Sequence, residues 1–434
     1  MHKNKFIVSN GFNKYPLSDA ATEFDKSASL KFFITGAYPL NILKKIIKFF
    51  SLNKLNFINR FFLRSVNIKD ELVYSLFISD FIFFFGIFVK SKIENYFYFL
   101  KKLNFSEKIL EYSSIRYQKK ASKILKSNSL EINDVDVFFF RSGFGGESLI
   151  TAKNLGLKTV CYQGGAHPKL EQYIIKNRGR LPTPDNFSEI TSDIAKQVVL
   201  DLKNSDYIIA EGHWSKKTII QSGIKENKVF EIIRGCSNQF MEILNKNKGA
   251  VTREKFEKSR KFKFLYVGAL TQRKGIDILM DIFDKLDDTR IELTVGGEGL
   301  DREFLNRFNN FKNKKNVNYL GLLSYEKLAF EMLRNDIFIF PSTSEGVARV
   351  VNEACAAGMY PIISKNVGSF IKDNINGSLL DPSDIDAWVE TIKDLINNPK
   401  KIEDVSKINI DLSINKFNQD YYGKELLRIF SNLN

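Results

Sequence analysis

At 434 residues the chain is too long for one ordinary core, so two domains are expected. With 44% hydrophobic and 26% charged residues it is globular in composition, and its three widely spaced cysteines, Cys161, Cys236 and Cys355, form no C-x-x-C pair. That spacing excludes a cysteine metal site and fits a reducing compartment with free thiols. The net charge of +15 is uneven, since residues 41–126 hold 17 Lys/Arg against 6 Asp/Glu.

The opening "KFIVSN" (5–10) reads as a strand and "NGFNKYPLSDA" as a loop. The apolar run "FIVS" is shorter than the ~7–15 residues of a signal-peptide core, so a cytoplasmic location is expected, peripheral on the inner membrane face if a surface of the chain binds lipid. Residues 41–126 read as basic, aromatic helices. A surface of that kind meets nucleic acid, anionic lipid headgroups or only solvent. Its apolar side chains come in blocks with lysine at the edges, the pattern of helices lying in a membrane interface, so lipid is the expected partner and nucleic acid is not. "LVYSLFISDFIFFFGIFV" (72–89) is long enough to span a bilayer, but Asp80 at its centre costs about 2.5–3.5 kcal/mol there. A buried or interfacial helix is expected instead.

Further on, "VDVFFFRS" (135–142), "KTVCYQ" (158–163) and "DYIIAEG" (206–212) read as strands, with helices between them closed by Gly156 and Gly223. Residues 1–240 are therefore expected to form an N-terminal Rossmann-like domain. The polar stretch at 241–262 is expected to be a linker. Residues 263–410 alternate strand and helix in a second, doubly wound domain, and 411–434 end the chain in a helix that crosses back to the first. The fold class is α/β, with two such domains facing each other across a cleft.

Three stretches of the second half carry chemistry. In "FLYVGALTQRKG" (264–275) a strand runs into a loop bearing Arg273 and Lys274 beside a helix start, an arrangement that favours an anion such as phosphate. "TVGGEGLDREF" (294–304) has Gly297 and Gly299 but lacks the third glycine of a dinucleotide fingerprint, so it reads as a turn that lets a ligand approach the backbone at Gly297. In "PSTSEGVARVVNEACAAGMYPIIS" (341–364) Glu345 stands at a strand's carboxyl end and Glu353 two turns along a helix expected over 347–357. The alternative role for Glu353, pairing with Arg349 in the less favourable i,i+4 order, is worth at most about 0.5 kcal/mol.

With those segments, "VGALTQRKGIDIL", "VNYLGLLS", "NGSLLDPSD" and the E-x7-E pair, the chain resembles the retaining glycosyltransferases of the GT-B fold, glycosyltransferase family 4. The likeness covers roughly residues 204–434 well and the first part loosely. It implies that Glu345 contacts the transferred sugar, that Glu353 accepts the ribose hydroxyls, and that Lys274 with Arg273 neutralises the diphosphate. It also implies that the backbone of Gly346, Val347 and Ala348 assists at a helix start, and that Leu320 and Leu322 flank main-chain groups meeting the nucleobase. His167, after a strand and two glycines, would approach the donor sugar, and Gly11 would let the backbone approach phosphate or acceptor. Many relatives carry Arg where this chain has Ala269; Arg273 is expected to substitute. No catalytic metal is expected, because the D-x-D at Asp134-Val135-Asp136 precedes its strand.

The resemblance thus implies a metal-independent hexosyl- or related transferase. It would need no cofactor and would move a sugar from a nucleotide-diphosphate donor to a glycan or lipid-linked acceptor in bacterial surface polysaccharide or lipopolysaccharide synthesis. Two other classes stay open: a non-catalytic GT-B protein that binds a nucleotide-sugar or a partner transferase, and an epimerase on the same fold.

Overall fold

The computed structural model describes residues 5–12, 16–39, 66, 68–93, 103–190, 192–248, 260–286 and 288–433. Residues 40–65, 67 and 94–102 of the basic aromatic region, and most of the second half of the expected linker, lie outside them.

The first domain runs β1 (Phe6–Ser9), α1 (Pro16–Lys26), β2 (Leu30–Thr35), β3 (Val73–Ser75), α2 (Phe77–Phe88), α3 (Phe105–Ser127), β4 (Val137–Arg141), α4 (Gly146–Asn154), β5 (Lys158–Gln163), α5 (Pro168–Lys176), α6 (Asp193–Asn204), β6 (Tyr207–Glu211), α7 (His213–Gln221) and β7 (Val229–Ile232). Its seven strands pair in parallel in the order β3-β2-β1-β4-β5-β6-β7. Strand side chains alternate between faces, so Phe6, Val8, Val137 and Phe139 enter one core while Ile7, Phe138 and Phe140 enter the other. A parallel sheet buried on both faces needs such continuous apolar runs.

The second domain follows with α8 (Asn238–Asn247), β8 (Phe262–Val267), α9 (Ile276–Lys285), β9 (Ile291–Gly296), α10 (Leu305–Phe311), β10 (Val317–Gly321), α11 (Tyr325–Arg334), β11 (Ile337–Phe340), β12 (Glu345–Val347), α12 (Arg349–Ala356), β13 (Tyr360–Ser364), β14 (Val367–Gly368), β15 (Ser378–Leu380), α13 (Ile385–Asn397), α14 (Lys400–Asn415) and α15 (Gln419–Ser431). Six strands form a sheet in the order β10-β9-β8-β11-β13-β15, and β12 pairs separately with β14. The architecture is α/β with two parallel sheets, each layered between helices.

Two details depart from the expected segmentation. The stretch expected as a linker from 241 begins inside α8, whose Phe240 and Leu244, one turn apart, are buried in the second core. The chain crosses between domains earlier, at Gly235–Cys236, beside the return crossing at Phe417, whose carbonyl accepts the Cys236 N–H at 3.1 Å. α15 then packs on the first domain, with Tyr422, Leu426 and Phe430 in the core around β1. The other departure is at 72–89: the helix starts only at Phe77, after β3, and its 12 residues cover about 18 Å. Among the described residues no helix is long and apolar enough to cross a membrane.

Candidate active site

In each sheet the strand order reverses once, between β1 and β4 and between β8 and β11. Crevices at such switch points, outside the carboxyl ends of the strands, are where open α/β sheets bind ligands. The two crevices face each other, and the loops that line them carry the residues singled out in the sequence.

On the second domain, β8 ends in a loop that closes as a turn over Gln272–Lys274. The neighbouring loop after β11 is strapped to it: the Arg273 carbonyl accepts the Ser342 hydroxyl at 2.8 Å and the Thr343 N–H at 2.9 Å. This fixes the backbone from which two cations project at Glu345. Arg273 Nη1 donates to Glu345 Oε1 at 2.6 Å and to the Ser344 carbonyl at 3.0 Å. Lys274 Nζ reaches the same Oε1 at 2.5 Å, and the Ser342 hydroxyl donates to it at 3.1 Å. Burial pulls the Lys274 ammonium below its usual range, while Glu345 opposes that pull.

Glu345 belongs to β12 and donates its N–H to the Asn366 carbonyl at 3.1 Å. The helix expected from 347 therefore starts at Arg349, because Gly346 and Val347 are held extended against β14. Ala348 is its N-cap, and the Ala348 N–H is donated to the Gly368 carbonyl at 3.3 Å. Of the three residues assigned to a helix start, only Ala348 touches one. Glu353 is buried within α12. Burial pushes its carboxyl up; Arg349 and Arg234 and a hydrogen bond with Tyr325 act the other way.

The first domain brings His167 and α5 to the same cleft. His167 caps α5: its Nδ1 accepts the Lys169 N–H at 3.3 Å, and its own N–H is donated to Thr218 Oγ1 at 3.0 Å. Burial, with Lys169 beside it, lowers its pKa to about 4. The imidazole is thus neutral near pH 7, and with Nδ1 accepting, the proton sits on Nε2 as a donor. Glu171, one turn on, lies on a helix packed against Gln272–Lys274, and its charge interacts with Arg273 and Glu345. Sequence reasoning passed over Glu171; its i,i+4 spacing from His167 on a helix facing the cleft was the available signal. Trp214 Nε1 also crosses the cleft, to Ser344 Oγ at 3.2 Å.

The other predicted residues are placed as follows. Gly297 follows β9 and donates its N–H to the Gly321 carbonyl at 2.7 Å. Leu320 and Leu322 flank that turn and are exposed. Gly11 follows β1, but its N–H is already donated to the Tyr117 hydroxyl at 3.0 Å and its carbonyl accepts the Gly36 N–H at 2.8 Å. Asp134 and Asp136 lie at the opposite end of the sheet, where Asp136 accepts the Lys5 N–H at 2.8 Å and Asp134 pairs with Lys5 and Lys31.

Arg273 and Lys274 meet at Glu345 beside the switch point of the second sheet, with Glu171 of α5 within electrostatic reach. Such a set can hold a diphosphate and stabilise its growing charge as a bond to it breaks.

Residues 249–411 match the family described as "Glycosyl transferases group 1". A protein of the cps region of Klebsiella pneumoniae is 28% identical over 191 residues, 43% of this chain and 51% of that protein. The O-antigen chain mannosyltransferase C of Escherichia coli is 28% identical over 176 residues, 39% of this chain and 45% of that protein. The chain thus aligns with about half the length of these curated relatives. The crystal structure of Anabaena HepE in complex with UDP superposes with a TM-score of 0.59 at 14% identity, covering 99% of this chain and 100% of that one. The chain has the GT-B fold, and its residues 249–411 match the family described as group 1 glycosyl transferases.

Proposed function

We propose that the protein is a retaining glycosyltransferase that moves a sugar from a nucleotide-diphosphate donor to a glycan or lipid-linked acceptor in surface polysaccharide synthesis. The observation that carries the reading is the convergence of Arg273 Nη1 and Lys274 Nζ on one oxygen of Glu345 at the switch point of the second sheet. In this reading the donor diphosphate takes over the two cations and releases Glu345 toward the sugar. Arg273 and Lys274 supply the charge that a metal ion supplies elsewhere. Glu353 accepts the ribose hydroxyls. His167 Nε2–H donates to a hydroxyl of the donor sugar from across the cleft.

The relatives' names support the pathway: one is encoded in a cps region and one is an O-antigen mannosyltransferase. The HepE structure, solved with UDP, supports a nucleotide donor. Calorimetric titration with UDP, GDP and ADP tests the reading. One of the three binds, and Lys274→Ala weakens it at least about tenfold, the loss of one charge-assisted contact of about 1.4 kcal/mol or more. No binding by any of them would contradict it.

A further inference from the structure

α2 is built the wrong way round for a helix in water. Its inward positions are Ser79, Asp80 and Gly86, and its outward stripe is aromatic. Phe77, Phe81, Phe85 and Phe88, spaced four, four and three residues apart, are 55%, 64%, 47% and 52% exposed. The polar groups inside are engaged: Asp80 accepts the Ala37 N–H at 2.7 Å, and the Ser79 carbonyl accepts the Ser113 hydroxyl at 2.7 Å. Gly86 lets α3 approach closely, since a Cβ there would lie 2.9 Å from Leu110. The helix is therefore locked in this orientation, and rotation cannot hide its phenylalanines. On α3, Phe105, Tyr112 and Ile115 extend the exposed apolar surface.

The charge around this surface is one-sided. Residues 77–93 and 103–127 hold eight Lys/Arg and three Asp/Glu. Of those acids, Asp80 is buried and Glu107 is paired with Lys90 at 2.5 Å. Lys92, Lys108, Lys119 and Lys120 are exposed. An aromatic ridge bordered by lysines matches an anionic bilayer, with rings at the acyl boundary and ammonium groups among the phosphates. Twelve residues, about 18 Å, cannot cross a core of about 30 Å, so the helix lies in the interface plane. The same helix reaches the loop after β1 from its other side: Phe83 packs on Phe12, with ring centroids 4.8 Å apart.

We propose that the α2–α3 face docks the first domain on an anionic phospholipid bilayer, holding the cleft where a lipid-linked acceptor can reach it. The docking stands on this surface alone; only the presentation of an acceptor rests on the function proposed above. The test is flotation of the full chain with vesicles of phosphatidylcholine alone or with phosphatidylglycerol at 25 mol%, at low and high salt. The wild type floats with the anionic vesicles at low salt. Phe81→Asp/Phe85→Asp abolishes flotation, and Lys119→Glu/Lys120→Glu weakens it by roughly thirtyfold or more, as for the loss of two lysines near an anionic surface. Both variants keep the wild-type melting temperature and nucleotide binding. The wild type remaining in the aqueous fraction with anionic vesicles, variants that float as it does, or a ridge that only joins two copies of the chain (a dimer that Phe81→Asp/Phe85→Asp dissociates, with no flotation) overturns the proposal. Loss of nucleotide binding in every form would count against the proposed reaction and leave the docking result standing.

Discussion

Glu345 Oε1 takes three donors at once, from Arg273, Lys274 and Ser342. A carboxylate held that way competes with any incoming diphosphate for the same two cations. Glu345→Gln should therefore bind the free nucleoside diphosphate more tightly than the wild type, by about threefold to tenfold, in calorimetry. His167 makes a second prediction, through pH. Its folded pKa of about 4 lies below the ordinary 6.5, so between those values the unfolded chain binds the extra proton. The stability it contributes is complete above about pH 6.5 and is lost as pH falls toward 4, by up to about 3 kcal/mol. His167→Asn, which keeps an N-cap acceptor, should flatten that part of the stability curve measured by urea unfolding from pH 7 to pH 4.5. Arg273, Lys274, Glu345 and Glu353 could be picked out from sequence because their neighbours in the chain already mark strand ends and a helix. Glu171 offered only its i,i+4 spacing from His167, and what brings it to Arg273 is the packing of α5 across the cleft.

At the scale of elements, the glycine-rich turn after β4 shows how one buried side chain shapes the first domain's crevice. Asp201, on α6, accepts the N–H groups of Gly143, Gly145 and Gly146 at 2.8, 3.0 and 2.9 Å. Asp201→Ala leaves three buried donors unpaired and should cost about 3 kcal/mol or more in urea unfolding, with Asp201→Asn costing less. The strand β5, with its buried run from Thr159 to Gln163, could be read to the residue from 158–163. α1 was read as loop although Pro16 opens it and Asp19 sits in its first turn; the short, glycine-containing stretch before it masked the start. β12 was read as a loop running into a helix at 347, because three residues carry no periodicity and its partner β14 lies about twenty residues further on. Residues 94–102 and 40–65, where the densest basic aromatic blocks fall, lie outside the described structure.

Across the whole molecule the two domains meet through bare backbone. A Cβ at Gly346 would lie 2.0 Å from the Gly164 carbonyl, so only glycine permits the domains to sit this close. Arg178 Nη1 pairs with Asp281 at 2.7 Å, and Asn366 Nδ2 donates to the Gly179 carbonyl at 2.7 Å, bracing the same contact near α9. Gly346→Val should hold the domains apart, raise the radius of gyration in small-angle scattering and abolish sugar transfer, while nucleotide binding to the second domain changes little. In the proposed function this cleft breaks the bond between a sugar and a nucleoside diphosphate. The most direct test is slow turnover of UDP-, GDP- and ADP-sugars followed by proton NMR of the released sugar. The wild type should hydrolyse one donor class with the anomeric configuration initially retained, and Glu345→Gln should lower the rate by about a hundredfold or more. Turnover of none of them, or equal turnover by Glu345→Gln, would contradict the account.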